Sequence, residues 1–201
     1  MKGAPVFGLV LAGGFSRRMG RDKALLSMNG RPQALWTADL LARRCERVMI
    51  SCRPGQNLGE ATEVERVHDV EEGGGPLMGM CLAARRYPDA AWLVAACDLP
   101  RLGPEVVDEL LDHREDGRDA VAFRSVHDGL PEPLFALYEP GFVPVWEEAL
   151  RRERRCPRKL LIEQAERVKL VDLSVSDALD NANTPEDLAR MTPCGVAGGG
   201  K

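Results

Sequence analysis

The sequence predicts an α/β fold with a mostly parallel central sheet. Three apolar segments without polar alternation, Val6–Ala12, Val48–Cys52 and Trp92–Cys97, are typical of strands that are buried on both faces. In the first half of the chain a strand, a glycine-containing loop and a helix follow one another twice, which is characteristic of parallel sheets. A length of 201 residues indicates one globular domain, or one domain with a small lobe, and a hydrophobic content of 44% is enough for an ordinary core.

The composition argues against several classes of partner. A net charge of −4 disfavours general binding to nucleic acid or anionic membranes, and no apolar run reaches transmembrane length. No signal-peptide cleavage pattern precedes the first strand, and the six cysteines form neither a C-x-x-C pair nor a disulfide framework, so a cytoplasmic location is expected. The three histidines are scattered, and no pairing of a nucleophile with a histidine is visible.

The first strand leads into a glycine-rich basic loop, Gly13-Gly14-Phe15-Ser16-Arg17-Arg18-Met19-Gly20-Arg21-Asp22-Lys23. Adjacent glycines let backbone N–H groups approach an anion, and four cations in the loop add positive charge. The spacing matches neither the P-loop, which needs lysine directly after its second glycine, nor the dinucleotide fingerprint G-x-G-x-x-G. The loop is predicted to bind a polyphosphate, and a glycine turn with a solvated basic patch is the alternative.

The following elements repeat this unit. Apolar spacing predicts a helix from Pro32 to Cys45, the strand Val48–Cys52, a short strand over Val64–His68 and a helix from Pro76 to Ala84. A second glycine loop lies between the last two, at residues 71–76. Because ligands of parallel sheets bind outside the carboxyl ends of the strands, both glycine loops are expected at that edge.

Asp98 directly follows the buried strand Trp92–Cys97. A carboxylate in this place is expected to face the same crevice, where it can hold Mg²⁺ together with substrate phosphates. An aspartate that only begins a turn is an equal alternative by position alone.

The second half of the chain is predicted to contain two helices and three strands. These are a helix that begins at Pro104, strands over Ala120–Phe123 and Pro133–Tyr138, a helix over Phe142–Arg154 and a strand over Val168–Asp172. Further on, Thr184 and Pro185 predict the start of another helix, and the glycine-rich residues 192–201 are expected to be disordered.

The densest basic cluster of the chain lies between Arg151 and Lys159. A charge run of this kind is usually a solvated face. In a protein of net negative charge, it can instead receive a second anionic substrate.

The first loop closely resembles the signature L-x-x-G-x-S-x-R-M-G-x-x-K of a nucleotidyltransferase group that includes the molybdenum cofactor guanylyltransferases, the MobA family. The serine, arginine, methionine, glycine and lysine all occur at the expected offsets. Four further segments resemble family motifs in the same order: Gly75-Pro76-Leu77-Met78-Gly79-Met80, Cys97-Asp98-Leu99-Pro100, Pro133-Leu134-Phe135-Ala136-Leu137-Tyr138 and the segment from Asp180 to Leu188.

The resemblance extends from Leu9 to about Arg190 and implies a three-layer α/β/α, Rossmann-like nucleotidyltransferase fold. Residues 1–191 would form a single domain, with a nucleotide-binding half at about 1–103 and an acceptor-binding half at about 104–191. The family transfers GMP from GTP to molybdenum-bearing molybdopterin and releases pyrophosphate. The implied cofactor is Mg²⁺, the implied substrates are GTP and molybdopterin, and molybdoenzyme-maturation proteins are further candidate partners.

The resemblance also assigns roles by position in the motifs. The residues that would bind nucleotide are Leu11, Ala12, Gly13, Gly14, Lys23, Asp69 and Asp98. The residues that would act in catalysis are Lys23, Asp98 and Arg18. Mg²⁺ would be bound by Asp98 together with Asn181 or Asn183, which would also lie near the second substrate. Arg155 and Lys159 in the basic cluster are the candidates for binding the acceptor's phosphate.

The choice of GTP depends on the pair Gly13-Gly14, since related cytidylyltransferases tend to carry alanine at the first of these positions. Some members carry a guanine-contacting asparagine after the second strand, where this chain has Ser51-Cys52-Arg53. A molybdopterin cytidylyltransferase, an enzyme acting on a sugar phosphate and a non-catalytic nucleotide-binding regulator are the alternatives. Retention of both Lys23 and Asp98 argues against the regulator.

Overall fold

The computed structural model describes residues 3–13, 23–25, 27–28, 31–59, 64–68, 74–182, 187 and 190–191. Within these residues the strands are β1 Val6–Leu11, β2 Ser27–Met28, β3 Arg31–Pro32, β4 Arg47–Cys52, β5 Glu65–His68, β6 Ala91–Ala96, β7 Ala120–Arg124, β8 Pro131–Tyr138 and β9 Val168–Asp172. The α-helices are α1 Gln33–Leu41, α2 Gly75–Arg86, α3 Pro104–Asp112, α4 Val143–Arg151 and α5 Pro157–Glu163. Short 3₁₀ turns occur at Lys23–Leu25, Pro140–Phe142 and Ala165–Arg167.

Seven of these strands form one sheet in the order β5-β4-β1-β6-β8-β7-β9. Strand β8 runs antiparallel to both of its neighbours, and the other pairs are parallel. The sheet is therefore mostly parallel, as the buried apolar segments predicted. Strands β2 and β3 form a separate two-stranded antiparallel ladder.

Helices cover both faces of the sheet, and alternate residues of β6 show how. Leu93 and Ala95 pack in a core with side chains of α1 and α3, whereas Trp92 and Val94 pack in a second core with side chains of α2, α4 and α5. All six residues of β6 are buried, which explains why its sequence lacks polar alternation. The two cores confirm the three-layer α/β/α arrangement.

Close contact between α1 and the sheet depends on Gly8 in β1. A Cβ atom at Gly8 would lie 3.1 Å from Leu41 Cβ and 3.2 Å from Val48 Cγ2, so a side chain there would push the helix away. None of the described helices is long and apolar enough to span a membrane.

Two predicted helices end earlier than expected. The first was predicted to reach Cys45, but α1 ends at Leu41, and the next residues form tighter i→i+3 bonds such as Arg44 N–H to the Leu41 carbonyl at 3.0 Å. The helix predicted over Phe142–Arg154 ends at Arg151.

The end of α4 is a Schellman motif, in which the last carbonyls of a helix accept bonds from N–H groups beyond it. Arg154 N–H donates to the Ala149 carbonyl at 2.8 Å, and Glu153 N–H donates to the Leu150 carbonyl at 3.0 Å. Glu153 takes the left-handed conformation, with φ of 56°. Glycine usually occupies this position, so a glutamate there gives no sequence signal that the helix ends. The chain then continues into α5, which the sequence analysis did not predict.

Candidate active site

The carboxyl ends of four parallel strands meet at one edge of the sheet. Leu11 at the end of β1 is in register with Ser51 of β4 on one side and with Ala96 of β6 on the other. The Ala12 N–H donates to the Ser51 carbonyl at 2.8 Å, and the Cys97 N–H donates to the Leu11 carbonyl at 3.2 Å. The loops after all these strands therefore begin side by side, which is where α/β proteins bind their ligands.

The start of the first glycine loop lies at this edge. Ala12 is buried, and Gly13 is partly exposed directly beyond it. Lys23 begins the 3₁₀ turn Lys23–Leu25 further along. Three other residues that were assigned to the donor side, Gly14, Arg18 and Asp69, lie outside the described residues.

Gln56 is a residue of this edge that the sequence analysis missed. The residue is only 9% exposed, and its Nε2 donates to the Ala12 carbonyl at 3.0 Å while its Oε1 accepts from the Arg53 N–H at 2.9 Å. The amide thus joins the loop after β4 to the backbone that enters the glycine loop. The sequence shows this segment only as Arg53-Pro54-Gly55, a strand-ending turn, and a lone glutamine after such a turn carries no recognisable signal.

Asp98 lies in the turn after β6 and is partly buried. Its backbone carbonyl accepts a hydrogen bond from the Ala182 N–H at 3.0 Å, so the chain near the C-terminus runs beside it. The structure therefore brings Asp98 and Asn181 to the same place, although they are far apart in sequence. Asn183, the other candidate, lies outside the described residues, as do the predicted helix start at Thr184 and Pro185.

The residues around Asp98 suit a metal that is shared with a substrate. Among the described residues, no group of three or more histidine, cysteine, aspartate or glutamate side chains could hold a metal ion. Mg²⁺ is commonly bound by one or two carboxylates together with waters and substrate phosphates, rather than by an all-protein cage. One carboxylate with an amide oxygen nearby fits that kind of coordination.

The second glycine loop meets the same edge where α2 begins. Gly75, the first residue of α2, has φ of +66°, a left-handed conformation that favours glycine. The following Pro76 lines a cavity of about 540 Å³. Residues 71–73 of the predicted loop lie outside the described residues.

The cavity has a mixed lining that comes from four further parts of the chain, besides Pro76. The end of β6 and its turn contribute Ala96 and Leu99, and the start of β8 contributes residues 132–135. The segment that leads into α5 contributes residues 155–158, and the C-terminal segment contributes Leu179 and Asn181. Apolar side chains predominate, and the charged groups on the wall are Arg155, Arg158 and Glu132.

The two acceptor candidates in the basic cluster differ in position. Arg155 lines the cavity, whereas Lys159 is exposed on α5 and is not among the described lining residues. The neighbouring arginines are paired with carboxylates, as a solvated face would be: Arg151 and Arg152 with Glu148, Arg154 with Glu163, and Arg158 with Asp128 and Glu132. Most of the cluster's charge is therefore neutralised by neighbouring carboxylates.

The structure shows one cysteine–histidine pair that the sequence did not reveal. Cys52 Sγ lies 3.6 Å from His68 Nδ1, because the two residues are in register at the ends of β4 and β5. The pair is not visible in the sequence, because parallel strand pairing brings together residues that are distant along the chain. Cys52 is fully buried and does not line the described cavity, so nothing assigns the pair a chemical role.

This fold and this edge define a class of α/β proteins that bind ligands at the carboxyl ends of parallel strands. Residues 8–168 match the family model of the MobA-like NTP transferase domain. The chain therefore belongs to the MobA-like NTP transferase family.

Individual relatives support the same placement. A molybdenum cofactor guanylyltransferase of Pseudomonas putida is 33% identical over 90% of this chain and 94% of its own length. A molybdenum cofactor biosynthesis bifunctional protein of Synechocystis is 35% identical over 93% of this chain, which spans only 54% of that longer protein. The crystal structure of molybdopterin-guanine dinucleotide biosynthesis protein A from Archaeoglobus fulgidus superposes with a TM-score of 0.72 at 26% identity, over 92% of this chain and 96% of that one.

Proposed function

We propose that this chain transfers GMP from GTP to the terminal phosphate of molybdenum-bearing molybdopterin, which forms the guanine dinucleotide cofactor and releases pyrophosphate. The observation that carries this proposal is a guanylyltransferase relative that matches this chain over nearly the full length of both proteins. Two features of the structure support the proposal: neighbouring strand ends beside Gly13, and a cavity whose lining includes Ala96 and Leu99, on either side of Asp98.

The reaction needs little covalent participation from the protein. An oxygen of the acceptor's phosphate attacks the α-phosphorus of GTP, and the bond from that phosphorus to the bridging oxygen of pyrophosphate breaks. Because a phosphate is already anionic near neutral pH, no side-chain base has to remove a proton from it. Positioning of the two substrates and neutralisation of their charge supply the catalysis.

The donor would lie against the loop after β1. Gln56 holds the Ala12 carbonyl, and this fixes the direction in which the backbone enters Gly13. A partly exposed glycine lets the nucleotide approach the backbone without a side chain between them. Lys23 and Arg18 keep their proposed roles as phosphate-binding cations.

Asp98, with the Asn181 amide nearby, would hold Mg²⁺ at this edge. When bound, the ion would neutralise negative charge on the phosphates of the donor. We retain Asn183 and Asp69 as candidates for the metal and nucleotide roles that the motifs assign.

The acceptor would occupy the cavity between β8 and the start of α5. Arg155 offers a cation to its phosphate, while the apolar wall suits the ring system of the pterin. In this scheme the part of the chain before α3 supplies the residues that bind the donor, and the part from α3 onward supplies most of those that bind the acceptor. Both parts belong to the single domain 1–191. We further propose that the enzyme works in the cytoplasm, where the five described cysteines, none of which forms a disulfide, would stay reduced, and that proteins of molybdoenzyme maturation receive its product.

The test is an incubation of the protein with molybdenum-bearing molybdopterin, Mg²⁺ and each of the four common nucleoside triphosphates in turn. We expect pyrophosphate and a guanine dinucleotide with GTP only. Turnover with CTP and none with GTP would overturn the assignment of the base, and absence of any dinucleotide would overturn the reaction.

A further inference from the structure

The direction of β8 brings its first residues to the carboxyl edge of the parallel strands. Pairing between β6 and β8 runs from Trp92 with Tyr138 to Ala95 with Phe135, so residues 131–134 extend past the paired part of β6. The ladder between β7 and β8 also shifts register between Ala122 and Arg124, and bulges of this kind bend a strand and redirect its side chains. Glu132, in this extension, lines the cavity.

The carboxylate of Glu132 is paired on one side only. Its Oε2 accepts from Arg158 Nη2 at 3.0 Å, and within the described residues the structure shows no donor to Oε1. The same guanidinium donates through Nη1 to Asp128 Oδ2 at 2.9 Å. One guanidinium is thus shared by two carboxylates, so it does not fully neutralise Glu132. The side chain of Glu132 is 23% exposed, so a ligand can reach it.

The rest of the cavity limits what such a ligand can be. Leu99, Leu134, Phe135 and Leu179 offer apolar surface, and Arg155 offers a cation. The cavity therefore fits a largely apolar, flat ring that carries hydrogen-bond donors at one place and an anionic group at another. A hydrocarbon would leave Glu132 Oε1 without a donor, and a plain polyanion would be repelled by this carboxylate.

We propose that Glu132 recognises the amino-pyrimidinone edge of the acceptor's pterin ring. The ring N–H and the adjacent exocyclic amine are neighbouring donors, and they match the two oxygens of a carboxylate in a paired geometry. This inference rests on the proposed function and names the residue that distinguishes a 2-amino pterin from other ring systems. The competing view is that Glu132 only holds Arg158 in place.

The experiment measures binding of two matched fluorescent probes, pterin-6-carboxylate and lumazine-6-carboxylate. Lumazine differs by a carbonyl oxygen in place of the 2-amino group, so it presents an acceptor where the pterin presents a donor. We expect the wild-type protein to prefer the pterin by roughly tenfold to hundredfold, the range of a charge-assisted hydrogen bond. Glu132→Gln should remove most of that preference and leave the KM for GTP unchanged.

Asp128→Asn is the matched control, because it weakens the other contact of the same guanidinium and keeps the Glu132 carboxylate. It should retain the preference for the pterin. Three outcomes would overturn the proposal. The wild type and Glu132→Gln could show equal preference for the pterin, both variants could lose the preference in parallel, or the wild type could fail to bind the pterin probe. Thermal unfolding of each variant identifies any that do not fold, and for that case Glu132→Asp, which keeps the charge and shortens the reach, provides a second measurement.

Dinucleotide formation is measured separately on the same preparations. If the wild type forms the guanine dinucleotide while Glu132→Gln keeps the preference for the pterin, the role of Glu132 is wrong and the proposed function stands. If no dinucleotide forms but the preference depends on Glu132, the proposed function is wrong and the recognition of the pterin edge stands.

Discussion

The proposed donor edge and the proposed acceptor cavity lie side by side, yet they are built differently. The donor edge uses backbone atoms at the ends of parallel strands, held by bonds such as Ala12 N–H to the Ser51 carbonyl at 2.8 Å. The acceptor cavity uses side chains from an antiparallel strand, the segment before a short helix and the C-terminal segment, joined by ion pairs such as Arg158 with Glu132. In our proposal, the backbone-built edge binds the phosphates of the donor, which every nucleoside triphosphate carries. The proposed acceptor cavity is built from side chains, so its fit to an acceptor depends on which residues line it.

Asp98 stands between the two regions, so its loss should have the largest effect. Asp98→Ala should lower the rate of pyrophosphate release by about 10²–10³-fold, because charge stabilisation at the phosphates is lost. Asp89→Ala, in the exposed turn at the opposite end of β6, is the control and should keep full activity. Unchanged turnover in Asp98→Ala, measured as released pyrophosphate at saturating Mg²⁺, would refute the metal role.

Arg155 and Lys159 divide the basic cluster into a part that lines the cavity and a part that does not. Arg155→Ala should raise the KM for molybdopterin roughly tenfold to hundredfold, because a charged partner of its phosphate is removed. Lys159→Ala should leave this constant within about twofold, as is usual for an exposed charge. Steady-state kinetics with varied acceptor concentration provide the measurement. Equal effects from both substitutions would mean that the acceptor responds to the summed electrostatic potential of the cluster and not to a specific contact with Arg155.

Gln56 tests the donor edge alone. Gln56→Leu leaves the Ala12 carbonyl and the Arg53 N–H without their buried partner, which should cost about 1–3 kcal/mol of stability. The KM for GTP should rise while the KM for the acceptor stays constant. The neighbouring change Asn57→Ala serves as the control, since Asn57 is exposed and its side chain accepts a local hydrogen bond from the Gly59 N–H. A rise in the acceptor KM with Gln56→Leu would show that the two regions are not independent.

Gly75 tests the junction of α2 with the cavity. Gly75→Ala forces a side chain into a left-handed conformation, at a cost of about 1–2 kcal/mol. Gly117→Ala imposes the same strain at φ of +85°, with no neighbouring atom within 4 Å of the added Cβ. Both should lose similar stability in chemical denaturation, but only Gly75→Ala should weaken acceptor binding, by displacing Pro76. A weakened acceptor in both variants would point to a general loss of stability.

The smallest expected effect concerns pH. The Leu130 N–H, together with the Arg158 guanidinium, lowers the pKa of Asp128 below its ordinary value. A lowered pKa in the folded state means that this aspartate stabilises the protein above its ordinary pKa of about 3.9, and that this contribution is lost as the pH falls through the folded-state pKa. The Tm of wild type should exceed that of Asp128→Asn slightly at pH 7, and the gap should close in acid. A gap that is independent of pH would contradict this origin.

Most of the sheet could be predicted from the sequence because its signals are local. An uninterrupted apolar segment such as Trp92–Cys97 indicates burial on both faces, and β6 at Ala91–Ala96 is indeed buried throughout. Spacing of glycine and basic residues after β1 likewise needs no knowledge of the rest of the chain. The ends of helices were harder to predict. Helix α4 ends at Arg151 because Glu153 adopts the left-handed conformation, which a glutamate in the sequence does not indicate.

The sequence by itself determined the α/β class, the succession of strands, loops and helices along the chain, and the identity of the motif residues. Each of these depends on neighbours within a few positions. Only the tertiary structure decided which of them meet. Asp98 and Asn181 lie together because an N–H near the C-terminus bonds the Asp98 carbonyl, and Gln56 reaches Ala12 across two strand ends. Glu132 reaches the cavity because β8 runs antiparallel past β6. Contacts between distant segments follow from strand order and direction, which no short segment of sequence encodes.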